Sequence, residues 1–217
     1  MTINTTISYS VTATASAATE QALLLSERFA LPLSKQLEKT QCQLVVSTQQ
    51  LAIHAPNLVS PITVDFTQGK SAHRRQFGGG RGQPLAKAIG LKKGATPTII
   101  DATAGYGKDA FVLATLGCQI TLLERNPLLA ALLEYAIAQA QRDPNIDAIA
   151  QRMTLCHKNA IQYLTSLTSD QQPDVIYIDP MYPSRQKSAL VKKEMQLLHQ
   201  IVGPDTDSTQ LLAIARQ

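Results

Sequence analysis

The sequence predicts an α/β protein with a parallel, Rossmann-like sheet, preceded by a small N-terminal α+β subdomain. From Thr98 onward, short β-branched runs alternate with helical patterns at the spacing of βαβ units. One run enters a glycine-containing turn and another ends at an Asp-Pro dipeptide. Both features follow strands, and open parallel sheets bind ligands at the carboxyl ends of their strands. We expect the subdomain to cover 1–70 and the larger, ligand-binding domain to cover 71–217.

The first seventy residues contain short apolar runs. The polar, Thr-rich start predicts one strand followed by an irregular lead-in, and 20–29 has a helical pattern. Three β-like runs come next, separated by Gln49-Gln50 and by a proline-bounded turn; they cover 43–48, 51–54 and 62–66. We expect these runs to pair as a small β-meander.

The larger domain begins near the glycine run 78–82, and a helix is expected from Pro84. Because the run contains Arg81, it can form a loop whose amides and guanidinium face a phosphate or a carboxylate of a bound ligand, and the usual alternative is a flexible linker. Four strands are predicted, at 98–101, 119–123, 153–157 and 174–178. Helices are predicted at 188–201 and from 209, and the leucines at 128, 129, 132 and 133, with Tyr135 and Tyr163, have the helical spacing of core residues.

The turn after the first of these strands indicates a nucleoside cofactor. Gly105 and Gly107 allow a close backbone approach, and Lys108-Asp109 opens a helix whose N-terminal amides face the turn. Glu124 ends the next strand, where an acidic side chain binds the two hydroxyls of a ribose. NAD remains compatible with this spacing, because Ala110 occupies the third glycine position and the dinucleotide motif tolerates Ala there.

The segment Asp179-Pro180-Met181-Tyr182 favours S-adenosylmethionine (SAM) over NAD. The Asp179 side chain and the Pro180 carbonyl can together accept both hydrogens of a planar amino group, and Tyr182 can stack on the ring that carries it. These three residues are the predicted catalytic residues of a methyl transfer to nitrogen. An ordinary Asp-Pro turn after a strand is the alternative.

Five segments form a distinctive set: HRRQFGGGRG at 73–82, DATAG at 101–105, LERNP at 123–127, DPMYP at 179–183 and QKSALVKKEM at 186–195. Together they resemble the ribosomal RNA small subunit methyltransferase J family. The resemblance implies SAM-dependent methylation of N2 of one guanine in 16S rRNA, with small-subunit rRNA or the 30S subunit as partner. It also implies cofactor contacts at Lys108-Asp109, Glu124-Arg125, Asn159-Ala160 and Asp179.

The resemblance also sets an expectation for the sheet. SAM methyltransferases of this class have seven strands, whereas the sequence predicts none after 178. We therefore expect the last three strands to be absent, the fourth strand to lie at an edge, and an apolar face beside it to be uncovered. Two other functions stay open: an amino-methyltransferase acting on adenine N6 or a protein amide, and a non-catalytic RNA-binding fragment.

Positive charge is concentrated near the predicted site. Between Gly69 and Lys93 there are seven Lys or Arg and no Asp or Glu, and a second basic block follows Pro183. Such stretches are typical of phosphate contacts, although a solvated basic surface is the alternative. The candidate RNA-binding residues are Arg74, Arg75, Arg81, Lys187, Lys192 and Lys193.

Composition limits the class of protein. With 44% apolar residues, no apolar run of membrane-spanning length and no signal-peptide pattern, the sequence predicts a globular cytoplasmic protein without a membrane partner. Cys42, Cys118 and Cys156 lack metal-ligand spacing, so we expect reduced, mostly buried thiols and no metal site.

Overall fold

A computed structural model describes residues 8–38, 40–56, 58, 60–68, 80–92, 94–180, 201 and 207–216. The described residues form two compact units. The first comes from Met1–Val64, Asn126–Leu132 and Pro183–Pro204, and the second from Asp65–Arg125, Leu133–Tyr182 and Asp205–Gln217. The division into two domains at residue 70 stays a prediction.

The first unit contains a three-stranded sheet of order β1-β2-β3. Its elements are β1 (Tyr9–Ala13), helix α1 (Thr19–Phe29), β2 (Cys42–Val46) and β3 (Leu51–His54). The antiparallel pairing predicted for the meander is confirmed between β2 and β3, whereas the parallel pairing of β1 with β2 was not predicted. Parallel neighbours need a crossover, and α1 lies in the connection between them. The strand predicted at 62–66 is wrong, since only Ile62 forms a bridge, which is antiparallel and joins it to Ile53.

The second unit contains a four-stranded sheet of order β6-β5-β4-β7, in which every neighbouring pair is parallel. The strands are β4 (Thr98–Asp101), β5 (Gln119–Glu124), β6 (Met153–His157) and β7 (Val175–Tyr177). They confirm the four predicted strands and the Rossmann-like class of the fold. This order places β4 at the centre, so the turn that follows β4 lies between the ends of β5 and β7.

Helices connect the strands. They are α2 (Pro84–Ala88), α3 (Lys108–Thr115), α4 (Pro127–Ala140), α5 (Asp147–Ala150), α6 (Ala160–Thr165) and α7 (Ser208–Ile214), with short 3₁₀ turns at Ser16–Ala18, Gly80–Gly82 and Ser169–Gln171. The predicted leucines of α4 are completely or almost completely buried. The helix predicted at 188–201 lies outside the described residues except for Ile201.

The strand β7 lies at the edge of the described sheet, where it pairs with β4 from Ile99↔Val175 to Asp101↔Tyr177. The predicted edge position is therefore confirmed for the described residues. The expected bare face beside β7 is wrong on one side, because Leu211 of α7 belongs to the apolar cluster against which Ile176 packs. The hydrophobic spacing of 208–214 explains this cover, since it places Leu211 and Ile214 on one helix face.

The three cysteines are free thiols; Cys42 and Cys118 are buried and Cys156 is half-buried. Within the described ranges, no helix is long and apolar enough to cross a membrane. The same ranges contain no group of three or more His, Cys, Asp or Glu placed to hold a metal ion.

Candidate active site

A tight glycine turn connects β4 to α3. Gly105 and Gly107 have φ values of +53° and +65°, in a backbone region that residues other than glycine rarely adopt. A Cβ at Gly107 would lie 2.6 Å from Leu133 Cδ1, so this position has no room for a side chain. At Gly105 the nearest described atom to such a Cβ is the Thr103 carbonyl oxygen at 3.9 Å. The turn is therefore packed against the core at Gly107 and open at Gly105.

Glu124 joins this turn to the end of β5. The residue is 6% exposed, and its Oε2 accepts a hydrogen bond from the Gly105 amide at 2.9 Å. The parallel register of β4 and β5 places their carboxyl ends side by side, which explains the contact. The structure thus brings together two of the predicted cofactor residues, Gly105 and Glu124.

Asp101, which we did not predict as a site residue, lies where the carboxyl ends of the parallel strands meet. It ends β4 and is 2% exposed. Burial raises the pKa of its carboxyl to about 7, against a lowering by the Thr103 amide, which donates to Oδ1 at 3.1 Å. The negative charges of Asp109, Glu124 and Asp179 raise it further. Three other carboxyl groups therefore lie close enough to act on Asp101, and a cation bound here would relieve this repulsion.

Tyr177 joins β7 to the first turn of α3. Its hydroxyl donates to Asp109 Oδ2 at 3.0 Å. Burial, and then the negative charge of Asp109, raise the pKa of Tyr177, so the hydroxyl keeps its proton and remains a donor. The contact holds Asp109, a predicted cofactor residue, at the same edge as Asp101.

Asp179 lies just beyond β7, beside the start of the glycine turn. Its amide donates to Thr103 Oγ1 at 2.8 Å. The residue is exposed overall, yet partial desolvation of the carboxyl, followed by the charge of Asp109, raises the pKa of Asp179. Pro180 is half-buried next to it. Tyr182, the third predicted catalytic residue, lies outside the described residues.

The remaining predicted cofactor residues have other contacts. Lys108 is exposed, with its Nζ 5.2 Å from the centre of the Tyr106 ring. Arg125 Nη1 is 2.6 Å from Asp207 Oδ2. Asn159 caps α6, where its Oδ1 accepts from the Gln162 amide at 3.2 Å, and Ala160 packs against the apolar cluster under that helix. Their roles toward a cofactor stay predictions.

Of the predicted RNA-binding residues, Arg81 alone is described. Its guanidinium donates to the carbonyl oxygens of Lys92 (2.7 Å), Ala95 (2.8 Å) and Leu116 (3.3 Å). Toward the described residues, these bonds use three of its five N–H donors. Arg74, Arg75, Lys187, Lys192 and Lys193 lie outside the described residues.

Sequence reasoning missed three residues of this edge: Asp101, Thr103 and Tyr177. Asp101 was detectable, because an acidic residue at a strand end before a glycine turn follows the same logic as Glu124. Tyr177 reads as one more apolar residue of a buried strand. Thr103 gives no signal, because its partner Asp179 is 76 positions away along the chain.

The sheet order, glycine turn, acidic β5 end and Asp-Pro segment after β7 are those of SAM-dependent methyltransferases. Residues 24–217 match the protein family described as "Putative SAM-dependent methyltransferase". The carboxylates around Asp101 fit this cofactor, because SAM carries a positive sulfonium and a positive amino group. SAM is therefore the cofactor of this chain, and the alternative of NAD is not supported.

Similar proteins with names identify the particular family of methyltransferases. The chain is 50% identical over 192 residues to "Ribosomal RNA small subunit methyltransferase J" of Aeromonas salmonicida, covering 85% of this chain and 76% of the relative. It is 56% identical over 155 residues to the protein of that name in Aeromonas hydrophila, covering 71% of this chain and 62% of the relative. The chain belongs to the ribosomal RNA small subunit methyltransferase J family.

A solved structure supports the same fold. The crystal structure of a SAM-dependent methyltransferase from Neisseria gonorrhoeae matches 96% of this chain and 80% of its own, with a TM-score of 0.75 and 33% sequence identity. This similarity extends over both compact units of the chain, including the N-terminal sheet.

Proposed function

We propose that this chain transfers a methyl group from SAM to N2 of a guanine in 16S rRNA. The observation that carries the proposal is the position of Asp179, at the carboxyl end of β7 and hydrogen-bonded through its amide to Thr103, two residues before Gly105. An acceptor for an amino group thus lies beside the turn that we assign to the cofactor. The proposed substrate follows the names of the relatives, which are small-subunit rRNA methyltransferases.

The acceptor chemistry falls on two oxygen-bearing groups. The Asp179 carboxylate and the Pro180 carbonyl would accept the two hydrogens of the guanine amino group, which favours a pyramidal nitrogen with an exposed lone pair. The raised pKa of Asp179 makes its carboxylate a stronger proton acceptor than an ordinary one. Tyr182 would stack on the base, a contact worth roughly 1–3 kcal/mol.

The cofactor-binding residues would orient SAM rather than activate it chemically. SAM supplies a methyl group on a sulfonium, which is already a good leaving group. Glu124 would bind the ribose hydroxyls, and Gly105 and Gly107 would admit the cofactor close to the backbone. We also assign cofactor contacts to Lys108, Asp109, Arg125, Asn159, Ala160 and Asp179. The main contribution of the protein is alignment of the nitrogen, the methyl carbon and the sulfur.

The proposed partner is small-subunit rRNA, free or within the 30S subunit, in the cytoplasm. We assign phosphate contacts to Arg74, Arg75, Arg81, Lys187, Lys192 and Lys193, which belong to two stretches rich in Lys and Arg. Reaching N2 in a paired region would require unstacking, which costs a few kcal/mol.

The direct test is transfer of radiolabelled methyl from SAM to 16S rRNA, naked and in 30S subunits, followed by nucleoside analysis. We expect label in N2-methylguanosine. Label in N6-methyladenosine, or in ribosomal protein, would replace the proposal by the corresponding amino-methyltransferase. Failure of the folded chain to bind SAM or S-adenosylhomocysteine in a calorimetric titration would instead indicate a non-catalytic RNA-binding protein.

The RNA contacts have a separate test. Single Glu substitutions of Arg74, Arg75, Lys187, Lys192 and Lys193 should each make the salt dependence of RNA affinity shallower by about one unit. SAM affinity should change little, because few counterions are released when it binds. Filter binding at several salt concentrations measures the slopes, and five unaltered slopes would remove these residues from the interface. For Arg81→Glu, an unaltered slope with a lowered Tm would assign this residue to the three carbonyls alone.

A further inference from the structure

The hydrogen bonding between β4 and β7 changes character at its carboxyl end. Within the pair, the Ala102 amide donates to the Tyr177 carbonyl at 2.9 Å. In a regular parallel ladder the next bond would run from the Asp179 amide to the Ala102 carbonyl. In the structure, the Asp179 amide donates to the Thr103 hydroxyl at 2.8 Å. A side chain therefore supplies the last bond of the ladder, at the point where the β4 backbone leaves the sheet to form the glycine turn.

The hydroxyl that supplies this bond belongs to a well-held residue. The Thr103 amide donates to Asp101 Oδ1 at 3.1 Å, and Asp101 is 2% exposed. Thr103 is also β-branched, which restricts its χ1 rotamers. The position of the hydroxyl is thus set by β4 itself, so Thr103 links the end of β4 to the backbone of Asp179.

We infer that Thr103 is a positioning residue for methyl transfer. Its hydroxyl holds the main chain from which the Asp179 carboxylate and the Pro180 carbonyl project, at a fixed distance from the turn at Gly105. The inference rests on the proposed function, since it assumes that Asp179 and Pro180 receive the amino group. It assigns to Thr103 no contact with substrate or cofactor.

A structural role alone would give different results. Thr98, at the amino end of the same strand pair, accepts a hydrogen bond from the Asp174 amide on its Oγ1 at 3.1 Å. Thr98→Val therefore removes the same type of bond at the opposite edge of the sheet from the site, together with the bond from the Thr98 hydroxyl to Asp174 Oδ2. If Thr103 merely held the strands together, Thr98→Val and Thr103→Val would have similar effects on turnover.

The experiment compares Thr103→Val, Thr103→Ser and Thr98→Val with wild type. For Thr103→Val we expect kcat to fall about 10- to 100-fold, the range for a misplacement of about 1 Å. We expect SAM affinity, measured by calorimetry, to change much less than kcat, because Asp179 is one of several residues assigned to the cofactor and the others stay in place. Thr103→Ser should recover most of the turnover because it keeps the hydroxyl, and Thr98→Val should leave kcat unchanged. If Thr103→Val does not fold, Thr103→Ala removes the hydroxyl without the added methyl group.

Amide hydrogen exchange at Asp179 gives a reading that needs no substrate. We expect this amide to exchange faster in Thr103→Val than in wild type or Thr103→Ser. Unchanged exchange, or wild-type kcat in an active Thr103→Val chain, would overturn the inference. An inactive wild-type chain that still shows the exchange difference would refute the proposed function, while leaving Thr103 as the residue that holds Asp179.

Discussion

Each end of the β4–β7 pair has one Thr and one Asp in contact, but within the described part of the chain the Asp carboxylate is hydrogen-bonded at only one of the two ends. At the amino end, Asp174 Oδ2 accepts hydrogen bonds from the Thr98 amide and hydroxyl, each at 2.8 Å. At the carboxyl end, Thr103 bonds to the amide of Asp179 at 2.8 Å, and no described residue donates to the Asp179 carboxylate. The carboxylate is therefore used by the fold at one end and kept available at the other.

The pKa values of the two carboxyls follow this difference. The Thr98 amide and then its hydroxyl lower the pKa of Asp174, because hydrogen bonds to the charged form favour it. Desolvation and then the charge of Asp109 raise the pKa of Asp179. An Asp-Thr pair at a strand end therefore does not indicate function by itself. Both threonine hydroxyls accept a hydrogen bond from the aspartate amide, and the difference is that Thr98 also donates to the carboxylate of its partner.

The largest effect on methyl transfer is expected from Asp179→Ala at the carboxyl end of the pair. This change removes the carboxylate that is proposed to accept a hydrogen of the guanine amino group. It should lower the single-turnover rate of methyl transfer by at least about 10²-fold, the lower range for a positioned proton acceptor. The thermal unfolding of the variant should match that of wild type, since the Asp179 amide and its bond to Thr103 remain. A near-normal single-turnover rate would exclude the acceptor role of Asp179.

The two ends of β5 can be compared in the same way, with Glu124→Ala at its carboxyl end. This change removes the charged acceptor at the carboxyl end of β5 and should weaken SAM binding by roughly 1–3 kcal/mol. Gln119→Ala, at the exposed amino end of the same strand, is the matched control and should leave SAM affinity unchanged. Calorimetric titration measures both, and equal affinities for the two variants would remove Glu124 from the cofactor site.

The buried Asp101 should give the fold a pH dependence. Its pKa is raised from 3.8 to about 7 in the folded chain, so folding favours the protonated form. The stabilisation from protonation is present at low pH and is lost as pH rises through about 7. Asp101→Asn keeps an acceptor for the Thr103 amide without the charge, and should raise Tm more at pH 8 than at pH 4. Thermal unfolding at both pH values tests this expectation, which fails if the change in Tm is the same at both.

The smallest effect is expected at the amino end. Asp174→Asn weakens the two bonds from Thr98 on an exposed surface, so Tm should fall slightly at neutral pH and turnover should not change. Because the pKa of Asp174 is lowered, its stabilising contribution is present at neutral pH and is lost as pH falls below about 4, opposite in sign to that of Asp101. A loss of methyl transfer in Asp174→Asn would contradict the division of roles between the two ends.

Local sequence patterns were sufficient for the larger sheet. The bounds predicted for β4 and β6, at 98–101 and 153–157, agree with the structure, because short apolar runs between turn residues indicate strands. The grouping of Gly105 with Glu124 also followed from sequence, since carboxyl ends of neighbouring parallel strands meet at one edge.

Long-range pairing was not predictable in the same way. The parallel pairing of β1 with β2 depends on α1 crossing between them, and the runs themselves do not indicate which strand β1 joins. The run at 62–66 has β-type composition but forms one bridge, because composition does not provide a partner strand. The role of Thr103 and the burial of Asp101 depend on contacts that only the folded sheet creates.

The strand order has a consequence for the route of folding. In the order β6-β5-β4-β7, the strand of this sheet that is synthesised first lies inside, and its second neighbour is synthesised last. Joining β7 to β4 closes a loop of more than seventy residues, since Ile99 pairs with Val175. Such closure costs entropy before any contact compensates for it, and parallel sheets fold slowly for this reason. We therefore expect the edge that carries Asp101, Thr103 and Asp179 to assemble after β4 and β5 have met, and a nascent chain cannot form it until β7 has emerged from the ribosome.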